Sequence, residues 1–270
     1  MLAISAMSEI LHSLATLDPS PGSDLIIGGI RTAPISRRGL VKLMVDDCLR
    51  VRERPASAKL VFSLNAHGLS LAAKDANYRA CLDMADIVHA DGASIVFASR
   101  LLTRAGIPER SATTDMIHDS AKASVQHGLR FYLLGGTEAI NAECANRLRE
   151  MYPGLQISGR HHGYFSFEEE PNICSDINAS RADVVWIGLG KPTEQFFCLR
   201  NRDRLRAGWL VTCGGCFNYI TGAYSRAPLW MQSWGLEWLH RMLTGPRQLI
   251  WRYLTTNPHA LYLMLTKTRG

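Results

Sequence analysis

Short apolar runs, each followed by a segment long enough for a helix, recur through most of this 270-residue chain. They read as strands at Lys59-Leu60-Val61-Phe62-Ser63-Leu64, around Ile87, at Arg130-Phe131-Tyr132-Leu133-Leu134, at Leu155-Gln156-Ile157, at Asp183-Val184-Val185-Trp186-Ile187 and at Trp209-Leu210-Val211-Thr212. Helical patterns fall between them, from Ser36 to Arg52, from Asn65 past Tyr78, from Glu138 to Met151 and from Thr193 to Arg206. Parallel neighbours can be joined only by long crossovers, and those crossovers cover the sheet. The expected class is therefore α/β, a mostly parallel sheet with helices on both faces. A further run, Leu25-Ile26-Ile27-Gly28-Gly29-Ile30, reads as one more strand, after a loose leader over residues 1–23 that contains Pro19-Ser20-Pro21-Gly22-Ser23.

Within this frame the stretch Asp86-Ile87-Val88-His89-Ala90-Asp91-Gly92-Ala93-Ser94 places Asp91 at the carboxyl end of a strand. Ligands of open α/β sheets bind at that end, because the loops there ring a crevice and the following helices present unpaired N–H groups to it. Three roles are open to such a carboxylate: general base, partner of a sugar or ribose hydroxyl, or N-cap of a helix beginning near Ala93. Three other strands run into glycine, at Gly135-Gly136, Gly188-Leu189-Gly190 and Gly214-Gly215. Glycine there lets backbone approach a phosphate, and together these turns suggest a Rossmann-like sheet with a nucleotide crevice.

The nucleotide is not expected to be a nicotinamide cofactor. Leu134-Gly135-Gly136-Thr137-Glu138-Ala139 supplies only part of the G-x-G-x-x-G pattern, and the next strand leads into Ser158-Gly159-Arg160 without an acid for a ribose. No G-x-x-x-x-G-K-[ST] loop occurs either. With no Asp-x-Asp pair to bind a metal, helix N-termini and arginines would have to stabilise a nucleotide-diphosphate leaving group. His161-His162 is too close-spaced to converge on one ion, so no metal and no cofactor are expected.

Seven cysteines scattered through strands and helices point to a reducing compartment rather than to disulfides. Cys213-Gly214-Gly215-Cys216 has C-x-x-C spacing but no second pair. The composition, 47% hydrophobic and 20% charged, is that of an ordinary folded protein. No signal-peptide pattern and no apolar run of about 18 residues is present, so any membrane contact is expected to be peripheral and cytoplasmic. The net charge of +6 favours an anionic partner.

That charge concentrates late. From Tyr224 to Gly270 the one acidic residue is Glu237, against Arg226, Arg241, Arg247, Arg252, Lys267 and Arg269. Trp230, Trp234 and Trp238 fall at i, i+4 and i+8, a single helical stripe that faces either the core or a lipid headgroup interface. Concentration in an aromatic tail rather than on a recognition helix argues against nucleic acid. The division expected is a catalytic domain over 24–222 and a basic, aromatic, helical membrane-associating segment over 223–270.

The ordered motifs Ser63-Leu64-Asn65, Ala90-Asp91-Gly92, Pro108-Glu109-Arg110, Leu134-Gly135-Gly136, Gly163-Tyr164-Phe165, Gly188-Leu189-Gly190-Lys191-Pro192-Thr193-Glu194-Gln195 and Phe217-Asn218-Tyr219-Ile220-Thr221-Gly222 resemble the WecG/TagA/CpsF family of bacterial glycosyltransferases. The ending Arg226-Ala227-Pro228-Leu229-Trp230, Gly235 to Arg241 and Trp251-Arg252-Tyr253 is similar to that family's C-terminal segment, so the likeness spans roughly residues 24 to 262. The resemblance implies a cytoplasmic, peripheral, metal-independent, inverting enzyme that transfers a sugar from a UDP donor to an undecaprenyl-diphosphate-linked sugar. It implies Asp91 as base. It also implies substrate contacts at Ser63, Asn65 and Arg110, at either Glu194 or Gln195 for the sugar, and at Asn218, with Arg226, Arg241, Arg247 and Arg252 on a diphosphate; the strand-end turns add Gly135, Gly136, Gly188 and Gly190 as expected contacts. Pro192-Thr193-Glu194-Gln195 stands where many members have Pro-Lys-Gln-Glu, Asn218 where Asp is common and Ser63 where Thr is commoner. These departures favour glucose as donor sugar, as in xanthan-like exopolysaccharide assembly, over N-acetylmannosamine, its uronic acid or glucuronic acid. A non-catalytic membrane scaffold is the rival of another class, and the apolar tail is expected to self-associate away from a membrane.

Overall fold

The computed structural model describes residues 25–54, 56–244 and 247–270. The leader expected over 1–23 lies outside them. Among the described residues the strands form a two-stranded hairpin, β1 (Leu25–Ile27) with β2 (Ile30–Thr32), and a six-stranded sheet. The sheet comprises β3 (Lys59–Leu64), β4 (Ile87–Ala90), β5 (Arg130–Gly135), β6 (Gln156–His161), β7 (Val184–Gly188) and β8 (Trp209–Thr212). All its pairings are parallel, in the order β4-β3-β8-β7-β5-β6.

The helices are α1 (Arg37–Glu53), α2 (Ala66–Ala72), α3 (Ala76–Asp83), α4 (Ala93–Leu102), α5 (Thr113–His127), α6 (Glu138–Met151), α7 (Glu170–Ala179), α8 (Thr193–Asn201), α9 (Cys216–Ile220), α10 (Leu229–Ser233), α11 (Glu237–Thr244) and α12 (Arg247–Lys267). Side chains alternate along a strand, and each strand here feeds two cores. Val185, Ile187 and Leu210 pack with α2, α3, α4, α7, α8 and α12. Val184, Trp186, Trp209 and Val211 pack on the opposite face with α1, α5, α6 and α9. The expected fold class is the observed one. The strand order switches where β3, running on to the edge strand β4, lies beside β8, and the carboxyl ends of β3, β4, β7 and β8 lie together there.

Three local expectations need correction. Leu25 to Ile30 is not one strand: Gly28 and Gly29 adopt φ of 57° and 88°, and this two-glycine turn folds the run into a hairpin. The helix expected from Asn65 past Tyr78 is two, because the Asp75 side chain accepts from the N–H groups of Asn77 and Tyr78 and starts a new one. The tryptophans do not share a helix. Gly235, at φ 70°, separates α10 from α11, so Trp230, Trp234 and Trp238 fall on two elements and the turn between them. All three are exposed, Trp234 to 79%, which removes the core-stripe reading.

The last helix returns to the domain. α12 packs along α2, with Ala260, Leu263 and Met264 buried in the core. Beyond it, the chain pairs with the hairpin: Arg269 and Ile26 exchange N–H···O bonds of 2.8 and 3.0 Å, and the Gly29 N–H reaches the Lys267 carbonyl at 2.8 Å.

Candidate active site

A pocket of about 980 Å³ opens over the carboxyl ends of β3, β4, β7 and β8, roofed by residues of α10, α11 and α12. Asp91 lies in its wall. Its backbone is fixed first, since the N–H groups of Asp91 and Gly92 both reach the Leu64 carbonyl at the end of β3, at 2.9 and 3.2 Å. Its carboxylate is then held from two sides: Asn65 Nδ2 donates to Oδ2 at 3.1 Å, and the Thr113 N–H donates to Oδ1 at 3.0 Å. Asp91 is thus a helix cap, but of α5 rather than of the helix that follows it, α4, whose N-cap is Gly92. Asn65 is also shared, because its Oδ1 accepts from the Gly68 N–H and caps α2. Burial works to raise the Asp91 carboxyl, yet the Lys191 ammonium and these two hydrogen bonds outweigh it and hold the group below its ordinary value.

Behind Asp91, the His89 ring is fully buried. Its Nδ1 lies 2.9 Å from Ser111 Oγ, and that hydroxyl donates to the Ala90 carbonyl at 3.2 Å. The ring Nε2 has no hydrogen-bond partner among the described residues. Burial lowers the His89 pKa to about 4, which keeps the ring neutral. His67, on the pocket wall, is likewise lowered to about 4 by burial and by the nearby charges of Arg252 and Lys191.

The floor is built around Glu194, which is fully buried. Its Oε2 accepts from the N–H groups of Gly190, at 3.1 Å, and Gly214, at 3.0 Å, and its Oε1 accepts from Gln195 Nε2 at 3.3 Å. Lys191 Nζ lies 3.8 Å from the same Oε1 and donates to Ser63 Oγ at 2.8 Å. Burial raises the Glu194 carboxyl in spite of these partners. The glycine-turn N–H groups expected to meet a phosphate are therefore occupied by an internal carboxylate. That is a correction to the phosphate role read into these turns.

The other glycines serve packing. A Cβ on Gly135, which has φ 138°, would stand 2.3 Å from the Gly188 carbonyl oxygen, and one on Gly188 would stand 2.8 Å from that of Gly214. Gly135, Gly136 and Gly188 do not line the pocket, whereas Gly190 does. Neither do Gln195, which is turned into the core, Asn218 or Arg226. Arg226 pairs with Asp115 beside the pocket, and the side chain of Arg247 lies outside the described residues. Ser63, Asn65, Asp91, Arg110, Glu194, Arg241 and Arg252 do line it.

The arginines in the pocket differ in what holds them. Arg110 donates to Glu237 at 2.7 Å and lies 3.7 Å from Asp115, which also pairs with Arg37 and Arg226. These ion pairs tie the C-terminal segment to α5. Arg241 lies over the Tyr219 ring and Arg252 over the Tyr253 ring, both 5.3 Å from the centroid, and neither has a carboxylate partner among the described residues. Lys191, His67, Gly214, Tyr219 and Trp234 also line the pocket. Of these, Lys191 has a signal in sequence, as a cation in the loop after a strand.

Cys213 and Cys216 border the pocket as thiols that burial pushes well above their ordinary range, so they are protonated and unreactive. Among the described residues no three His, Cys, Asp or Glu side chains are grouped to hold a metal ion. No helix among them is long and apolar enough to cross a membrane.

Comparison with known proteins adds two findings. The model of the glycosyl transferase WecG/TagA/CpsF family matches residues 26–270. An N-acetylglucosaminyldiphosphoundecaprenol N-acetyl-beta-D-mannosaminyltransferase of Bacillus spizizenii is 29% identical over 199 residues, which cover 74% of this chain and 76% of that protein.

Proposed function

The chain belongs to the WecG/TagA/CpsF family of glycosyl transferases, and from that premise we propose that it moves a hexosyl unit from a UDP-sugar to a sugar carried on undecaprenyl diphosphate, with inversion and without a metal. The observation that carries this reading is the Asp91 carboxylate, fixed at the pocket wall by Asn65 and the Thr113 N–H and kept ionised beside the Lys191 ammonium. An acceptor hydroxyl passes its proton to Asp91 as its oxygen attacks the anomeric carbon. The bond from that carbon to UDP breaks on the opposite face, and the electron pair leaves with the diphosphate. A carboxylate held below its ordinary pKa is a weak base, so the proton moves late, once bond formation has acidified the hydroxyl. Arg241 and Arg252 supply positive charge for a diphosphate on the pocket's roof.

The relative's name supports an acceptor that begins with a diphosphate-linked sugar on undecaprenol and favours N-acetylmannosamine as the transferred unit. The departures from the family pattern at Thr193, Glu194, Gln195, Asn218 and Ser63 favour a different donor, for which glucose is the first candidate. Exposed Leu229, Trp230, Trp234 and Trp251 near basic residues suit docking on an anionic inner-membrane surface, where the acceptor resides.

The test is transfer in the presence of EDTA, from a panel of UDP-sugars (glucose, N-acetylmannosamine, its uronic acid and glucuronic acid) to diphospho-lipid acceptors bearing glucose or N-acetylglucosamine. One donor supporting EDTA-resistant transfer is expected. Lipid-bound, folded protein that transfers from none of them would favour the scaffold instead.

A further inference from the structure

Lys191 is a lysine almost removed from water, its side chain 9% exposed, yet it lines the pocket. The stem reaches that position beside Gly68 of α2, where an added Cβ would stand 3.3 Å from Lys191 Cε. An ammonium has three N–H groups to place. Among the described residues one goes to Ser63 Oγ, and Glu194 Oε1, at 3.8 Å, is beyond hydrogen-bond reach.

Neither neighbouring carboxylate depends on Lys191 for hydrogen bonds. Glu194 has two backbone N–H donors and the Gln195 amide, and Asp91 has the Thr113 N–H and Asn65. The ammonium therefore keeps donor capacity at the floor of the cavity, while Arg241 and Arg252 belong to the roof. Gly190 and Gly214, which line the same pocket as the lysine, have nothing within 4 Å of where a Cβ would be, so the pocket is open at these two strand-end loops.

We propose that Lys191 is a donor-site contact, its ammonium hydrogen-bonded to the diphosphate of the UDP-sugar and taking charge as the sugar bond breaks. The assignment rests on the reaction proposed above. It gives the floor of the pocket to the leaving group and leaves the roof arginines for the lipid diphosphate.

The alternative role is that of a counter-ion for the buried Glu194, and the experiment separates the two. UDP, uridine and inorganic pyrophosphate are titrated by calorimetry into Glu194→Gln and into the double variant Glu194→Gln/Lys191→Met. The first change removes the carboxylate that Lys191 would neutralise, so the second removes the ammonium together with its Ser63 hydrogen bond and its charge near Asp91, and the Lys191→Arg variant below separates contact from charge. UDP and pyrophosphate are expected to bind about tenfold more weakly, or worse, to the double variant, with uridine unchanged and the two melting temperatures alike. Equal UDP affinity in the two variants would overturn the proposal.

Lys191→Arg in the otherwise unchanged chain keeps the charge opposite Glu194 but displaces its N–H groups, and should also weaken UDP and pyrophosphate. Unchanged affinity there would count equally against the assignment. Should the unaltered enzyme transfer sugar while UDP affinity ignores Lys191, the lysine assignment falls and the reaction stands. Should pyrophosphate affinity follow Lys191 in a protein that transfers from no UDP-sugar, the lysine contact stands and the reaction falls.

Discussion

Asn65 holds Asp91 with one end of its amide, Nδ2 to Oδ2 at 3.1 Å, and caps α2 with the other, Oδ1 from the Gly68 N–H at 3.0 Å. The base and the helix start are thus set by one side chain at the end of β3. Asn65→Ala is expected to lower stability by about 1 kcal/mol through the lost cap. It should also lower kcat with little change in KM for the donor, because the carboxylate loses orientation rather than charge. Melting curves and steady-state transfer kinetics measure the two effects separately.

The titrations of buried groups predict the response to acid. Free histidine binds a proton near pH 6.5, about where the unfolded chain would, while His67 and His89 do so in the fold only near about 4. The unfolded state takes up protons first as pH falls, so stability declines from about pH 6.5 toward 4. Asp91 adds a second, lower step: its contribution is present above the unfolded carboxylate pKa of about 3.9 and is lost as pH falls through its depressed folded value. Melting temperature should fall across the histidine window while kcat/KM shows no carboxylate limb there. A limb in kcat/KM near pH 5 to 6 that Asp91→Asn abolishes would contradict the depressed value.

Two glycines that look alike in sequence should behave differently. Gly135→Ala puts a Cβ 2.3 Å from a backbone oxygen at φ 138° and is expected to prevent folding or to cost several kcal/mol. Gly190→Ala meets only the penalty of φ 79° with open space around it, about 1–2 kcal/mol. Equal costs in denaturant titrations would contradict the packing role assigned to Gly135.

The strand ends are legible in the sequence because apolar runs stop where loops begin, and that placement, with the order of motifs, picks out Asp91, Asn65 and Ser63. What the chain makes of glycine is not legible there. Gly135 and Gly188 touch other backbone, and the Gly190 and Gly214 N–H groups bind Glu194, contacts between distant strands that spacing does not encode. The tryptophan stripe fails for a similar reason, since Gly235 ends the helical phase between Trp234 and Trp238. Lys191 is legible as a cation in the loop after β7, but its burial is not, because that depends on contact with Gly68 of α2, far away in sequence.

The C-terminal segment presents Leu229 at 81% exposure and Trp251 at 72% close to arginines, and Phe97 of α4, at 69%, lines the pocket together with Trp234. The protein should bind vesicles containing phosphatidylglycerol more strongly than neutral ones, and less strongly as salt rises. Trp234→Ala/Trp251→Ala should weaken vesicle binding several-fold in flotation assays and leave the melting temperature nearly unchanged. Loss of folding, with no selective loss of vesicle binding, would place these side chains in the structure rather than at the interface.

Asp91 as base is tested most directly by single-turnover transfer with Asp91→Asn beside the unaltered enzyme, with the active UDP-sugar, the lipid acceptor and EDTA present. The variant's rate should be lower by on the order of 10² to 10⁴, with UDP affinity close to that of the unaltered protein and a cooperative melting transition kept at a somewhat lower temperature. Near-normal transfer by Asp91→Asn would contradict the assignment, and would leave Asp91 as a cap of α5 with no part in the chemistry.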